Sequence, residues 1–378
     1  MTTLRRVFGP LRGYQYTAWI VAAVAAGMLW PAAILGWRAF DPRDTRVILA
    51  VVQLVMFGMG TQMSLRDFAG IIRAPRGVIV GTAAHFAVMP VLGFALARAF
   101  LLPREIAAGL VLIGACSSGL ASNVMSYIAR ANLVLSVTVT ALTTFVAPLA
   151  TPLLMKLLAG AWVRVEFLPM AAEIVKIVLV PIGAALLHDW LKNASAVGRR
   201  RATGLAAAGA VALVWAAASP VSAWILFPAE AAVGGVLYHA LWRLQPKLDR
   251  WMPTLSMAGI VYFTLITTAA GRDNLLRVGG LLVLAAVLQN AAGYFLGYWL
   301  SRGCGLDRNS ARAVAFEVGL LNGGMATGLA ADMGRLATVG LASAVFSPWM
   351  NVSGSVLANH WRRRPPPPPP PSFGDAGR

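Results

Sequence analysis

The sequence predicts an all-α polytopic membrane protein: two inverted five-helix repeats with a helical hairpin inserted between them. Three observations predict it. The 378-residue chain is 58% hydrophobic and 12% charged, where globular domains carry about 25% charged residues. Its apolar residues fall in runs of about 17–25, the length that crosses a bilayer as a helix. The two halves of the chain also share a pattern at a fixed, ungapped offset. So much apolar surface exceeds what a soluble core absorbs.

Helices are expected at 18–37, 46–64, 76–98, 105–128, 132–158, 168–190, 204–226, 228–244, 253–270, 276–300, 310–334 and 336–359. The first, "AWIVAAVAAGMLWPAAILGW", is too long and too rich in tryptophan for a cleaved leader, so it reads as a retained helix. The net charge of +18 raises nucleic acid as a partner. Its placement points to lipid instead. With the N-terminus inside, about two-thirds of the basic residues fall on the inner side, among them Arg5, Arg6, Arg199 to Arg201 and Arg362 to Arg364, as the positive-inside rule requires. The expectation is a multi-pass protein of the cell (inner) membrane with both termini cytoplasmic and no nucleic-acid partner. The tail "RRRPPPPPPPSFGDAGR" (362–378) reads as an extended spacer.

The repeat is carried by "AHFAVMPVLGFALAR" (84–98) and "LQNAAGYFLGYWLSR" (288–302). The same offset pairs Gly93 with Gly297, Arg104 with Arg308, Ala107 with Ala311 and Gly119 with Gly323. Five helices per copy, an odd number, invert the second copy in the membrane, an arrangement common in transporters. Residues 193–245 are extra to both copies. Both ends of this insert are basic, so it reads as a hairpin with "PAE" (228–230) as its outer turn. The second stretch is short and holds His239, so an interfacial or re-entrant segment stays open.

Both copies interrupt their fourth helix at the matching place, with "CSSGLASN" (116–123) and "LNGGMATG" (321–328). One such patch alone suits close helix packing. Two at equivalent positions suit discontinuous helices whose freed backbone ends face a midplane site. Just before the second break lies Glu317. A charge at the bilayer centre costs about 2.5–3.5 kcal/mol on insertion scales, so a cation or proton is expected beside it. Ser122 and Asn123 edge the first break, and Ser136 and Thr140 lie four apart on one helix face. If the breaks cross, these five oxygen-bearing side chains converge, as a hard cation such as sodium requires. An enzyme is not expected. His85, His188, His239 and His360 show no metal-ligand spacing, Cys116 and Cys304 lie on different segments, and neither a cofactor nor a further metal is implied.

The stretches "GLASNVMSYIARANLVLSVTVTALTTFVAPLATPLL", "FEVGLLNGG", "MFGMGTQMSLRDF" and "FSPWMNVSGSVLA" resemble the bile acid:sodium symporter family. The resemblance covers the chain except 193–245 and the tail. It implies a panel domain (14–64, 168–192, 252–271), a core domain (75–160, 275–361) in which the two broken helices cross, and sodium-coupled uptake of an organic anion by alternating access. It implies a first sodium site of Ser122, Asn123, Ser136, Thr140 and Glu317. The family's second sodium site uses two glutamines, and His85 and Leu321 stand there in this chain. Glu317 and the carbonyls of Val318 and Leu320 remain. Leucine does not ligate, and imidazole is a poor ligand for a hard ion. His85 reads either as a neutral histidine bonded to a neighbour or as a proton-binding group. The implied substrate surface is Ser117, Ser118, Gly119, Leu120, Asn322, Gly323 and Asn351. Ser117, Ser118 and Leu120 depart from the proline, glycine and threonine frequent in the family, so only a substrate class is expected: a small carboxylate or a bile-acid-like anion. Two alternatives are an arsenite-exporter-like efflux protein, with Cys116 near a break, and a ligand-binding sensor that does not transport.

Overall fold

A computed structural model describes residues 10–36, 41–68, 71–72, 74–217 and 223–364. The proline-rich tail beyond 364 and Arg5 and Arg6 lie outside these residues. The described residues are helical, and no strand longer than a single bridge occurs among them.

The first helix, α1 (Pro10–Leu29), starts earlier than expected and stops at Trp30. Pro31 has no N–H to continue the ladder and instead opens a short helix, α2 (Pro31–Leu35). Next comes α3 (Thr45–Gly60), whose N-cap Asp44 accepts from the Arg46 amide. Then follow α4 (Pro75–Ala99), α5 (Arg104–Ala115), α6 (Ala121–Ile128) and α7 (Leu133–Leu154), which continues as a π-turn to Ala159. A π-turn at Val175–Leu179 joins α8 (Phe167–Ile174) to α9 (Val180–Asn193). The insert forms α10 (Ala196–Ala217) and α11 (Ala223–Leu244). The chain ends with α12 (Leu248–Ala270), α13 (Arg272–Gly303), α14 (Arg308–Gly319), α15 (Gly323–Asp332) and α16 (Leu341–Arg362). Each of the helices expected at 105–128 and 310–334 is therefore two short helices, with extended backbone at Cys116 and Leu320. Among the described residues, five continuous helical stretches are long and apolar enough to cross a bilayer: Pro75–Ala99, Leu133–Ala159, Phe167–Asn193, Leu248–Ala270 and Arg272–Gly303.

The "PAE" turn is not where the sequence placed it. Pro228 lies inside α11, so Pro228 to Glu230 are helical. Proline reads as punctuation in water, but apolar helices tolerate it where neighbours satisfy the freed carbonyl. The connection between α10 and α11 falls at 218–222, outside the described residues. Each helix has 22 residues, about 33 Å at 1.5 Å per residue.

Contacts run in sequence from α1 to α12, α3, α9, α11 and α10, so the insert rests on the outer side of α9. A Cβ on Gly235 would meet the Ala184 carbonyl oxygen at 2.7 Å, which shows how closely α11 approaches α9. The helices α4 to α7 pack mainly with α13 to α16, and α15 also touches α3. Small residues also set two close pairings there. On α4, a Cβ at Gly93 would meet the Leu110 carbonyl of α5 at 2.5 Å. On α13, a Cβ at Gly297 would meet the Ala315 Cα of α14 at 3.1 Å.

Candidate cation and substrate site

The two helix breaks meet as a short antiparallel bridge between Ser118 and Leu321. The Gly119 amide donates to the Leu320 carbonyl at 2.9 Å, and the Asn322 amide donates to the Ser117 carbonyl at 2.8 Å. Backbone groups freed by ending two helices in mid-protein are thereby partnered across the gap. Gly119 is required there: a Cβ would lie 2.7 Å from the Leu321 carbonyl oxygen. The helix after each break is held in its own way. Asn322 caps α15 by accepting from the Met325 amide at 3.0 Å. The Ser118 amide, ahead of α6, donates to Thr143 Oγ1 at 3.3 Å.

Glu317 is fully buried in the last turn of α14. No basic side chain pairs with it among the described residues. Ser136 Oγ donates to Glu317 Oε1 at 2.5 Å and Thr140 Oγ1 to Glu317 Oε2 at 2.8 Å. The same two hydroxyls lie 2.9 and 3.3 Å from Asn123 Oδ1. Ser122 Oγ sits 3.2 Å from Thr140 Oγ1 and donates to the Gly119 carbonyl at 2.8 Å. The structure therefore gathers Ser122, Asn123, Ser136, Thr140 and Glu317 from three helices.

The cluster holds more acceptors than hydrogens. Each hydroxyl carries one hydrogen. That of Ser122 goes to a carbonyl, and Ser136 and Thr140 each face both an amide oxygen and a carboxylate oxygen. Six side-chain oxygens, one negative charge and three hydroxyl hydrogens leave lone pairs unmatched. A hard, singly charged cation has the chemistry to engage them, whereas a soft metal does not. Among the described residues no three His, Cys, Asp or Glu side chains gather as a transition-metal site.

Relatives share this chain nearly end to end. An uncharacterized sodium-dependent transporter of Bacillus subtilis is 32% identical over 352 residues, 93% of this chain and 92% of that relative. The model of the sodium bile acid symporter family matches residues 49–219. The chain belongs to that family. A probable chloroplastic sodium/metabolite cotransporter of Oryza sativa is 29% identical, covering 94% of this chain and 74% of the relative. The human ileal sodium/bile acid cotransporter is 29% identical, covering 73% and 66% respectively. These relatives are named as transporters or cotransporters, and this symporter-family chain is a transporter rather than an enzyme.

In this transporter His85 spans both breaks. Its Nδ1 lies 2.8 Å from the Glu317 carbonyl and its Nε2 lies 2.8 Å from the Cys116 carbonyl, with the ring fully buried. Carbonyl oxygens only accept, so a neutral ring donates to one of the two carbonyls and only a protonated ring donates to both. The other second-site positions are apolar or engaged. Leu321 is buried with its amide 3.3 Å from Met350 Sδ, and Val318 is buried in α14. The Leu320 carbonyl accepts from both Gly119 and Ser118.

The symporter's substrate candidates divide. Ser117, Ser118, Gly119 and Leu120 form the first segment of the crossing, and Ser117 Oγ points to Met325 Sδ at 3.8 Å. Asn322 Nδ2 reaches toward α3, 3.6 Å from Met56 Sδ and 3.9 Å from Met59 Sδ. Gly323 leaves no room for a Cβ beside Ser347 Oγ, 2.0 Å away. Asn351 instead donates to the Ser347 carbonyl of its own helix.

Sequence reasoning missed a buried network behind the second break. Asn290 Nδ2 donates to the Gly319 carbonyl at 2.7 Å, and Ser353 Oγ donates to Asn290 Oδ1 at 2.6 Å. Tyr294 OH lies 3.3 Å from Ser353 Oγ. Beside it Gln289 donates to the Met89 and Leu110 carbonyls at 2.9 and 3.2 Å. The signal was two consecutive amides, Gln289 and Asn290, in an otherwise apolar run.

Proposed function

We propose that this chain is a sodium-coupled symporter that takes up an organic anion by alternating access across the cell membrane, with both termini cytoplasmic. The observation that carries this reading is the hydrogen-poor oxygen cluster around Glu317, built from both sides of the helix crossing. Sodium bound among Ser122, Asn123, Ser136, Thr140 and Glu317 cancels the carboxylate charge. It also draws α6, α7 and α14 together, and so fixes the geometry of the crossing. An anion then binds beside a neutralised site rather than a negative one, which makes the two binding events favour each other.

The inverted repeat fits the same reading. His85 and Gln289 stand at matching positions of the two copies, and each lies within hydrogen-bond distance of two carbonyl oxygens. Gly93 and Gly297, also matched, seat the equivalent helix pairs. The chain of contacts α1, α12, α3 and α9 supplies the panel, and α4 to α7 with α13 to α16 supply the core that rocks against it. Asn322, facing the methionines of α3, lies where such bodies would slide. The anion-binding surface is the crossing segment from Ser117 to Leu120 with Asn322 and Gly323. Its mixture of hydroxyl, amide and backbone donors beside apolar walls suits a carboxylate on an apolar body, in the range from a small organic acid to a steroid acid.

The occupant of the second cation position in this reading is the His85 ring, which already holds the carbonyls of both breaks. One sodium per cycle follows. The test is initial uptake into proteoliposomes from a panel of labelled organic acids, under an inward sodium gradient and under an equal potassium gradient. At least one acid accumulates with sodium only. Uptake of the same acids at equal rates under both gradients would overturn the coupling.

A further inference from the structure

The insert carries a second polar centre, remote in structure from the helix crossing. Leu191, Lys192, Arg199, His239, Trp242 and Arg243 line a cavity of about 210 Å³ between the end of α9, the start of α10 and the end of α11. Three of these six side chains are cations and none is an acid. Two carboxylates neighbour the cavity. Asp249 has Lys192 Nζ 2.8 Å away, His188 Nε2 3.3 Å away and Tyr238 OH donating at 3.0 Å, and Asp189 lies 3.8 Å from Lys192 Nζ, so among the described residues Arg199 and Arg243 are the cations free of carboxylates. Arg199 spends one nitrogen on the Ala194 carbonyl. Arg243 has no ion-pair partner among the described residues.

A second observation points into the same cavity. His239 is 8% exposed, and its buried Nδ1 has no hydrogen-bond partner. Its ring stacks on Trp242 at 5.5 Å, and Trp242 in turn has Lys192 Nζ 5.7 Å from its centroid. A buried ring nitrogen without a partner is costly. His239 also lines the cavity, so an oxygen-rich anion held by the three cations lies beside its ring. His239, Trp242 and Arg243 recur at i, i+3 and i+4 and so share one face of α11.

The surroundings choose among anions. On the opposite face of α11, Leu237, Leu241 and Leu244 are exposed at 60%, 55% and 83%, an apolar side suited to contact with lipid. Trp190 and Trp251 are exposed at the same end of the helices, among Arg200, Arg201, Lys247 and Arg250. Exposed tryptophans level with a ring of cations mark a membrane–water interface. Basic pockets between helices at that depth suit phosphate headgroups.

We propose that the inserted hairpin and the end of α9 form a binding site for a phosphate-bearing anion, filled by the headgroup of an anionic phospholipid. Arg199 and Arg243 hold the phosphate from two helices of the hairpin, Lys192 adds a cation from α9, and His239 supplies a further polar contact. The site ties the insert to the lipid leaflet and to α9 together.

The test uses the full chain, purified and delipidated in mild detergent. Native mass spectrometry follows retention of phosphatidylglycerol and of phosphatidylcholine, and thermal melts are run with inorganic phosphate. Wild type retains phosphatidylglycerol over phosphatidylcholine. The double variant Arg199→Gln/Arg243→Gln retains it about thirtyfold less, the effect of two surface cations. A charge-matched control, Arg164→Gln/Arg277→Gln, behaves as wild type. Stabilisation by inorganic phosphate without phosphatidylglycerol retention would place a soluble anion in the cavity and overturn the lipid assignment. Equal retention by wild type and the Arg199/Arg243 variant, or equal loss in the control, would overturn the site.

Discussion

Ser136 Oγ lies 2.5 Å from Glu317 Oε1, although the residues are 181 positions apart and on different helices. One turn later Thr140 reaches the other carboxylate oxygen. The i, i+4 spacing of these hydroxyls thus spans both oxygens of a single carboxylate. A buried carboxyl group held this way has both oxygens fixed in place, the arrangement that the proposed cation site calls for.

Truncating either hydroxyl removes one ligand and one charge-assisted hydrogen bond. Ser136→Ala or Thr140→Ala is expected to raise the sodium concentration for half-maximal uptake about tenfold, from a loss of about 1.4 kcal/mol. The double variant is expected to lose less than the product of the two, because both act through Glu317. Sodium titration of initial uptake checks this. Unchanged half-saturation in both single variants would remove the hydroxyls from the site.

The crossing has no space for a side chain at Gly119. Gly119→Val places carbon against the Leu321 carbonyl, a backbone atom that cannot step aside cheaply. The variant is expected to melt several degrees lower and to lose sodium-dependent uptake, while Gly204→Val, where a Cβ meets nothing within 4 Å, keeps both. Thermal melts and uptake of the two proteins decide it.

Much of this geometry was legible in the sequence, for identifiable reasons. A carboxylate in an apolar run, glycine-rich breaks at matching offsets and hydroxyls four apart are local patterns with few apolar explanations. Those patterns named the five side chains that the structure gathers. What stayed hidden depends on remote partners. His85 could be read as bonded or proton-binding, but its two carbonyl partners come from segments 31 and 232 positions away. The Asn290–Ser353 pair behind Gly319 is equally non-local, at 63 positions. Pro228 misled because proline marks turns where water can satisfy a broken ladder, and α11 runs through it. Lys192, Arg199 and Arg243 read as loop charge, since only folding shows that they line one cavity.

The insert is expected to lie outside the transport cycle. Gly235→Leu pushes α11 off α9 by contact with Ala184, and it should lower thermal stability. Its half-saturating sodium concentration should stay within about twofold of wild type, since contacts this remote rarely couple. A tenfold shift would show that the insert takes part.

His85 in the second cation position predicts a Hill coefficient for sodium near 1, because steepness needs interacting sites. His85→Gln/Leu321→Gln restores two amide oxygens and should steepen the sodium dependence. A wild-type coefficient close to 2 would show a second ion despite the histidine.

Glu317 supplies the one negative charge of the cluster, so sodium binding itself is the most direct test and needs no knowledge of the substrate. Isothermal titration of sodium chloride into the purified wild type should give saturable heat that potassium chloride does not reproduce. Glu317→Gln, close in shape and without charge, should give none while melting as a folded protein. Equal sodium binding by wild type and Glu317→Gln would contradict the site.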